Sequence, residues 1–554
     1  MTLVRNSSQL SLVSIVIFPL LISGLGFAIA YLDIFKEFRK HVSGASIPIE
    51  LVTSGRTAKE LRLLEYRSLA NVDLEGFDKY LDADEMPSTK VLEQEAKDSG
   101  LPILSLSIDP DYLYGTDAGL IPNSLKKGRN WERPAYFSYF ENGKLRIASG
   151  VGLRVHGGRS RAGPIKSFRL HFRELYGRAD VPSDIFFDGK NNALESVVIH
   201  NDSRKGRGDQ SSRSYHFINP IAYELARELG CITPDTKVVK YYINGVYQGP
   251  YVLTEHISPS FLNRRFGHDN FVLARVKWDR RPGKSNLVQG NPQLLEDYRS
   301  WASTVPAPLS VDAVAAVMDL DGLTNWIISV VYVGATDPFQ GAVILDETAP
   351  NARWRFVNWD MDHGFRDVYN QVPLDWEIDN FTGVSAIFRS KQPRAIVFNR
   401  LRQESPEYRK RFLTRFVEVL NHVLTAEKVR AIIENYKIIA TQLEMEDTLF
   451  LQKMEEFAEF RPAILRQQLD QYFDAGAAYR LTITNDSGAS ITVDGYPIGA
   501  NYSGWYFSET PVSIRGSLTT ESTTQTLNVD GHISQLNDRE HTISLTRDTE
   551  ITIH

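Results

Sequence analysis

The stretch that most constrains this chain runs from Ala335 to Arg366, ATDPFQGAVILDETAPNARWRFVNWDMDHGFR. Asp337 follows an apolar, β-rich run, IISVVYVGA. Ala342 to Leu345 reads as a strand, and Trp354 to Trp359 as a second that ends in Asp360 and Asp362. Only a short turn separates them, Glu347 to Ala352 with Pro350 and Asn351, so the two should pair as a hairpin. Three carboxylates and the amide of Gln340 then meet at one end of it. Crowded carboxylates repel unless a cation or a proton lies between them. A hard cation such as Mg²⁺, taking oxygen ligands beside phosphates, meets that need. Each acid alone would serve equally well as a turn or cap residue. The W-D-x-D-x-G-F cluster behind an apolar strand argues for a shared role.

The remaining composition sets bounds. The 554 residues suffice for several domains, and 42% hydrophobic with 23% charged residues is an ordinary globular balance. A net charge of −6 gives no basic footprint, so nucleic acid is not an expected partner. Cys231 is the single cysteine, which excludes a disulfide framework and a multi-cysteine zinc site. Leu12 to Leu32 carries no charge over 21 positions, the length of a bilayer-spanning helix, after a tail of residues 1–11. Two readings stand. The length favours an uncleaved anchor; Ala28-Ile29-Ala30, small-x-small before Tyr31, suits a cleaved signal peptide and a secreted product. Flanking charges of both signs leave the orientation open.

Residues 33–100 read as a charged, helix-prone, membrane-proximal region. From Leu101 to about residue 270 short strands and turns dominate. Phe137–Phe140 and Leu145–Ala148 flank an Asn142-Gly143 turn, and Val151–His156 reads as a further strand. A basic, glycine-rich turn follows, Gly157-Gly158-Arg159-Ser160-Arg161, and then a strand from Lys166 to Phe172. Glycines let backbone N–H groups approach phosphates, and Lys or Arg neutralise their charge. A solvated surface hairpin would look the same in sequence. Ser214–Leu229 contains an amphipathic helix stopped by Gly230; Glu224 or Glu228 on it could hold the lysine, or either could be solvated. Lys237–Thr254 is a hairpin about Asn244-Gly245. Residues 270–305 read as a linking strand and loop, Asp319–Val333 as a helix that turns extended, and 406–473 as three or four packed helices. Residues 478–554 switch to a small all-β module with turns such as Asp494-Gly495.

Four blocks in order, GLRVHGGRSRAGPIKSFRLHF, YYINGVYQGPYVLTE, NWDMDHGF and FRPAILRQQL, resemble the CotH family of spore-coat-type, atypical protein kinases over about residues 101–475. The resemblance implies an α+β chain: a two-lobed, protein-kinase-like domain (N-lobe-like 101–270, C-lobe-like 271–475), preceded by the membrane helix and followed by the β module. It implies transfer of the γ-phosphoryl of ATP with Mg²⁺ to a protein Ser or Thr. By that resemblance Asp337 is the catalytic acid, Lys166 the phosphate-holding lysine, and Asp360 and Asp362 the pair of which at least one binds metal. Arg159, Arg161, Gly157, Gly158 and Glu224 join the nucleotide-binding set. Family members often place an asparagine a few residues after the catalytic acid. Here the segment is DPFQGAV, and Gln340 would offer the amide oxygen instead.

Two other classes stay open: a catalytically weak surface binding or adhesion protein, and an envelope-assembly factor without chemistry. A paired-carboxylate hydrolase leaves the basic glycine turn unexplained. The phosphotransfer reading expects the globular part at a membrane, outside the cytoplasm, with an envelope or surface protein as acceptor.

Overall fold

A computed structural model describes residues 89–553 apart from 190–191, 203–215, 277–284, 337–339, 366–375, 383–386, 447, 487–489, 517–524, 530–531 and 537–540. All of them belong to one compact unit, Val72–His554. The apolar segment 12–32 lies outside the described residues. Among those described, no helix is long and apolar enough to cross a membrane.

The chain is mixed α+β. A helix, α1 (Thr89–Ser99), leads into a closed barrel of seven strands: β1 (Ile103–Ser107), β2 (Arg133–Glu141), β3 (Lys144–His156), β4 (Ser167–His171), β5 (Ser196–His200), β6 (Thr236–Ile243) and β7 (Val246–Glu255). Around the barrel the order is β1-β2-β3-β4-β5-β7-β6, and β6 closes it by pairing parallel to β1. Closure leaves no open edge to manage. The β2–β3 and β6–β7 hairpins turn through Asn142-Gly143 and Asn244-Gly245. All four of these residues have positive φ, as a two-residue type I′ turn requires. The expected separate strand Val151–His156 is instead the second half of β3. Gly150 and Gly152 let it run on under Tyr176, where a Cβ at Gly150 would sit 1.9 Å from the Tyr176 carbonyl oxygen. Leu153, Val155, Phe168, Leu170, Val197 and Ile199 bury the apolar face of β3, β4 and β5.

The helix α2 (Ile218–Glu228) lies between β5 and β6 in sequence, and α3 (Pro259–Phe266) follows β7. A second sheet then forms from β8 (Phe271–Val276), β9 (Ser285–Gln289), β10 (Gly341–Asp346) and β11 (Arg355–Val357), in the order β9-β8-β10-β11. The hairpin expected between residues 342 and 359 is β10–β11, antiparallel with Ala342 opposite Val357. Residues 292–304, expected as loop, form α4 (Pro292–Thr304), with Asn291 capping its first turn.

The apolar run before Asp337 is a helix, not a strand. The helix α5 (Leu320–Tyr332) continues through IISVVY, capped at its start by the Asp319 carboxylate, which accepts from the Gly322 N–H. Ile327, Ile328, Val330, Val331 and Tyr332 are all buried, so the second half of the helix is enclosed on every side and its 3.6-residue period is faint there. The β-branched residues then read locally as strand, and tertiary burial overrides that preference. Helices α6 (Pro393–Glu404), α7 (Pro406–Glu418), α8 (Ala426–Gln442) and α9 (Leu449–Phe473) pack around it, with a π-helical stretch at Val419–Val423. Arg461 on α9, fully buried, donates to the carbonyl oxygens of Val331 and Tyr332 at the end of α5 and to those of Trp376 and Ile378. Residues 478–553 form two small sheets, as their composition suggested. His422 stacks between Tyr496 and Tyr502 of that module, at 4.7 and 5.3 Å.

Candidate metal centre

The acid pair stands just past β11, where the chain leaves the second sheet. Asp360 adopts a left-handed backbone, φ 58°, and its N–H donates to the hydroxyl oxygen of Tyr223 on α2 at 2.9 Å. Asp tolerates this conformation better than most residues but still at some cost, and the hydrogen bond offsets part of it. Tyr223 is buried, and burial, reinforced by Asp360, holds its phenol protonated. Asp362, two residues on, is only 1% exposed.

A third donor arrives from the barrel. His200 ends β5, and its ring comes close to both acids: one ligand atom from each of His200, Asp360 and Asp362 lies within 4.8 Å of the others. Asp202 fixes the end of this strand against α2. Its carboxylate accepts from the backbone N–H and side-chain amide of Asn219, in the first turn of that helix, at 3.2 and 2.8 Å. It therefore serves as an N-terminal cap. Two carboxylates and an imidazole, one of the acids almost fully buried, form a donor set that a divalent cation fits, because a buried carboxylate requires compensating positive charge.

Asp337 lies outside the described residues. Thr336, its neighbour, donates from its backbone N–H to the carbonyl oxygen of His363 at 3.3 Å, so the chain just before Asp337 is tied to the loop just after Asp362. Gln340 precedes β10 and is half-buried, and its carbonyl oxygen accepts from Arg394 at 3.3 Å.

The glycine turn is built around Lys166. Lys166 sits one residue before β4. Its ammonium donates to the carbonyl oxygens of Arg161 and Gly163, at 2.7 and 2.6 Å, and makes no ion pair among the described residues. Burial lowers its pKa. Arg161 donates to the carbonyl oxygens of Gly157, Ser124 and Lys126. Gly157 has φ 113°, and a Cβ there would meet Ser160 Oγ at 2.3 Å. Gly158 precedes a 3₁₀ turn, Arg159–Ala162; the side chain of Arg159 lies outside what is described. Glu224 does not hold Lys166. Its carboxylate accepts from the Tyr436 hydroxyl on α8, and burial raises its pKa.

The structure thus brings together Asp360, Asp362 and His200, which sequence reasoning had left out. The signal was a buried-strand pattern, SVVIH, ending abruptly in His-Asn-Asp. Trp359 links this cluster to the glycine turn: its ring lies 6.3 Å from that of His156, the last residue of β3. His156 and neighbouring His256 are kept neutral, first by burial and then by surrounding cations such as Arg169 and Arg275.

A closed barrel bearing a tight basic turn, whose His200 meets two carboxylates from the loop behind the second sheet, defines a mixed α+β protein with a candidate cation site. The family model described as CotH kinase protein matches residues 153–471, more than half of the chain and all of this cluster. The chain belongs to the CotH kinase family, and at that level it is a kinase-like protein; the family implies general use of ATP and a divalent metal. No curated protein matches the chain.

Proposed function

We propose that the chain is a phosphotransferase that moves the γ-phosphoryl of ATP to a Ser or Thr hydroxyl of an envelope or surface protein, with Mg²⁺ or Mn²⁺. The observation that carries this reading is the convergence of Asp360, Asp362 and His200 at the exit of β11. Phosphoryl transfer needs positioning and charge neutralisation more than covalent chemistry. Asp360 and Asp362 hold the cation, with the Gln340 amide as a further oxygen donor. The bound cation would neutralise phosphate oxygens. Asp337 orients the acceptor hydroxyl. Lys166 and Arg161 keep the Gly157–Gly158 turn in shape and add positive potential near it.

Residues 12–32 tether the chain to a membrane, with the globular part outside the cytoplasm. A reporter fused after residue 554 reads that side directly. For the activity, the purified chain is given labelled ATP with Mg²⁺ or Mn²⁺ and a Ser-rich protein. Label should transfer, and Asp362→Asn should abolish it. Absence of transfer with either metal, together with no nucleotide-induced thermal shift, returns the chain to the class of surface binding proteins.

A further inference from the structure

One face of the barrel carries a concentration of positive charge that the cation site does not use. Arg154 on β3 and Arg169 on β4 are directly paired in register, so their side chains share a face, and Gly152 faces His171 in the same way. Like charges directly opposite each other destabilise a sheet. One buried acid compensates in part. Glu132, whose side chain is 0% exposed, approaches Arg154 at 3.1 Å and Arg173 at 2.8 Å, and accepts from the Tyr176 hydroxyl at 2.9 Å. Its oxygens are thereby committed, and Arg169 is left over. Arg169 donates to Ser196 Oγ at 2.7 Å, makes no ion pair among the described residues, and keeps a buried Nε without a partner. Burial, with Arg275, Arg154 and Arg173 nearby, pulls its pKa down to about 9. Holding this guanidinium here is costly unless an anion joins it.

There is room for one. A cleft of about 90 Å³ is lined by Arg154, Arg169, Arg161, Lys126 and Lys127, with no acidic residue in its wall. A second cleft of about 510 Å³ shares Arg154, Arg169 and His171 but also has Glu174 and Glu195 in its lining, which makes the smaller one the better seat. His171 accepts from Arg154 Nε at 2.8 Å, and burial with the neighbouring guanidinium groups keeps it neutral, so the positive charge of the cleft comes from the arginines and lysines.

We propose that the Arg154–Arg169 face binds a phosphate oxyanion in the small cleft, with the Arg169 guanidinium as a principal donor. Guanidinium groups suit the geometry of such an anion better than ammonium groups do. The proposal deepens the phosphotransferase reading by naming a further phosphate-holding surface, and it is tested without metal or transfer.

The full chain, in EDTA, is titrated with pyrophosphate by calorimetry. Saturable binding that weakens with salt is expected, with Arg169→Gln weakening it about tenfold or more and Arg169→Lys retaining part of it. Pyrophosphate should also shield Arg154 and Arg169 from phenylglyoxal in the unmodified chain, a readout that survives if Arg169→Gln fails to fold. ATP that competes one-for-one with pyrophosphate identifies a nucleotide as the source of the phosphate; simultaneous binding identifies free phosphate. Equal affinity of wild type and a folded Arg169→Gln, or no shielding, overturns the proposal. Loss of phosphoryl transfer with pyrophosphate binding intact would fault only the catalytic reading.

Discussion

The backbone N–H of Asp360 donates to the hydroxyl oxygen of Tyr223 at 2.9 Å, joining the acid loop behind β11 to the helix behind β5. Tyr223→Phe removes the acceptor and leaves a strained, left-handed residue with an unsatisfied N–H. Stability should fall by about 1–3 kcal/mol in urea unfolding, and Mn²⁺ affinity should fall with it. Asp360→Asn separates the two effects. Asn accepts the same backbone conformation, so stability should stay within about 0.5 kcal/mol while metal affinity drops. Unchanged Mn²⁺ binding in both variants would remove Asp360 from the cation site.

Glu224 gives a pH signature. Burial raises its pKa above the ordinary 4.5, while its carboxylate accepts from Tyr436. A carboxyl with a raised folded pKa contributes stability below its unfolded value and loses it as pH rises through the folded one. From pH 4.5 upward into the mildly acidic range, wild-type stability should therefore fall relative to Glu224→Gln, which accepts from Tyr436 but does not titrate. Parallel stability–pH curves for the two proteins would contradict this.

Lys166→Met tests what the lysine does. Its ammonium joins two carbonyl oxygens of the glycine turn. Removing it should cost about 1.5–3 kcal/mol and loosen the turn, seen as faster amide exchange at residues 157–163. The KM for ATP should rise as the turn loosens. A rise in KM with no change in stability or exchange would mean that the amine contacts phosphate directly.

Arg461 is the joint between α9 and the end of α5. Arg461→Met takes its donor from the carbonyl oxygen of Tyr332 and leaves that of Val331 with the Gly334 N–H, at 3.1 Å. Destabilisation of at least about 2 kcal/mol is expected, and transfer activity should fall because α5 leads into the segment bearing Asp337. A variant as stable as wild type would show that the helix end finds other donors.

Local chemistry made much of this protein readable from sequence. Asn-Gly and Asp-Gly demand positive φ at adjacent positions, so the hairpins at 142–143, 244–245 and 494–495 were legible from two residues each. The β10–β11 hairpin, with Asp360 and Asp362 beyond its end, followed from strand pattern and turn length, and the C-terminal β module from composition.

What the sequence left open depended on contacts between distant segments. The second half of α5 is buried on every side, so little periodicity marked it, and its β-branched run mimicked a strand. His200 reaches the acids only because the fold brings the end of β5 close to the loop beyond β11. The loop carbonyl oxygens that Lys166 meets are set by the fold of the glycine turn and are not marked in the sequence. Closure of the barrel through the parallel β1–β6 pair, and the meeting of Arg154 with Arg169, are matters of register between separate strands. Side-chain type and spacing along the chain state which groups are present; only packing decides which of them face each other.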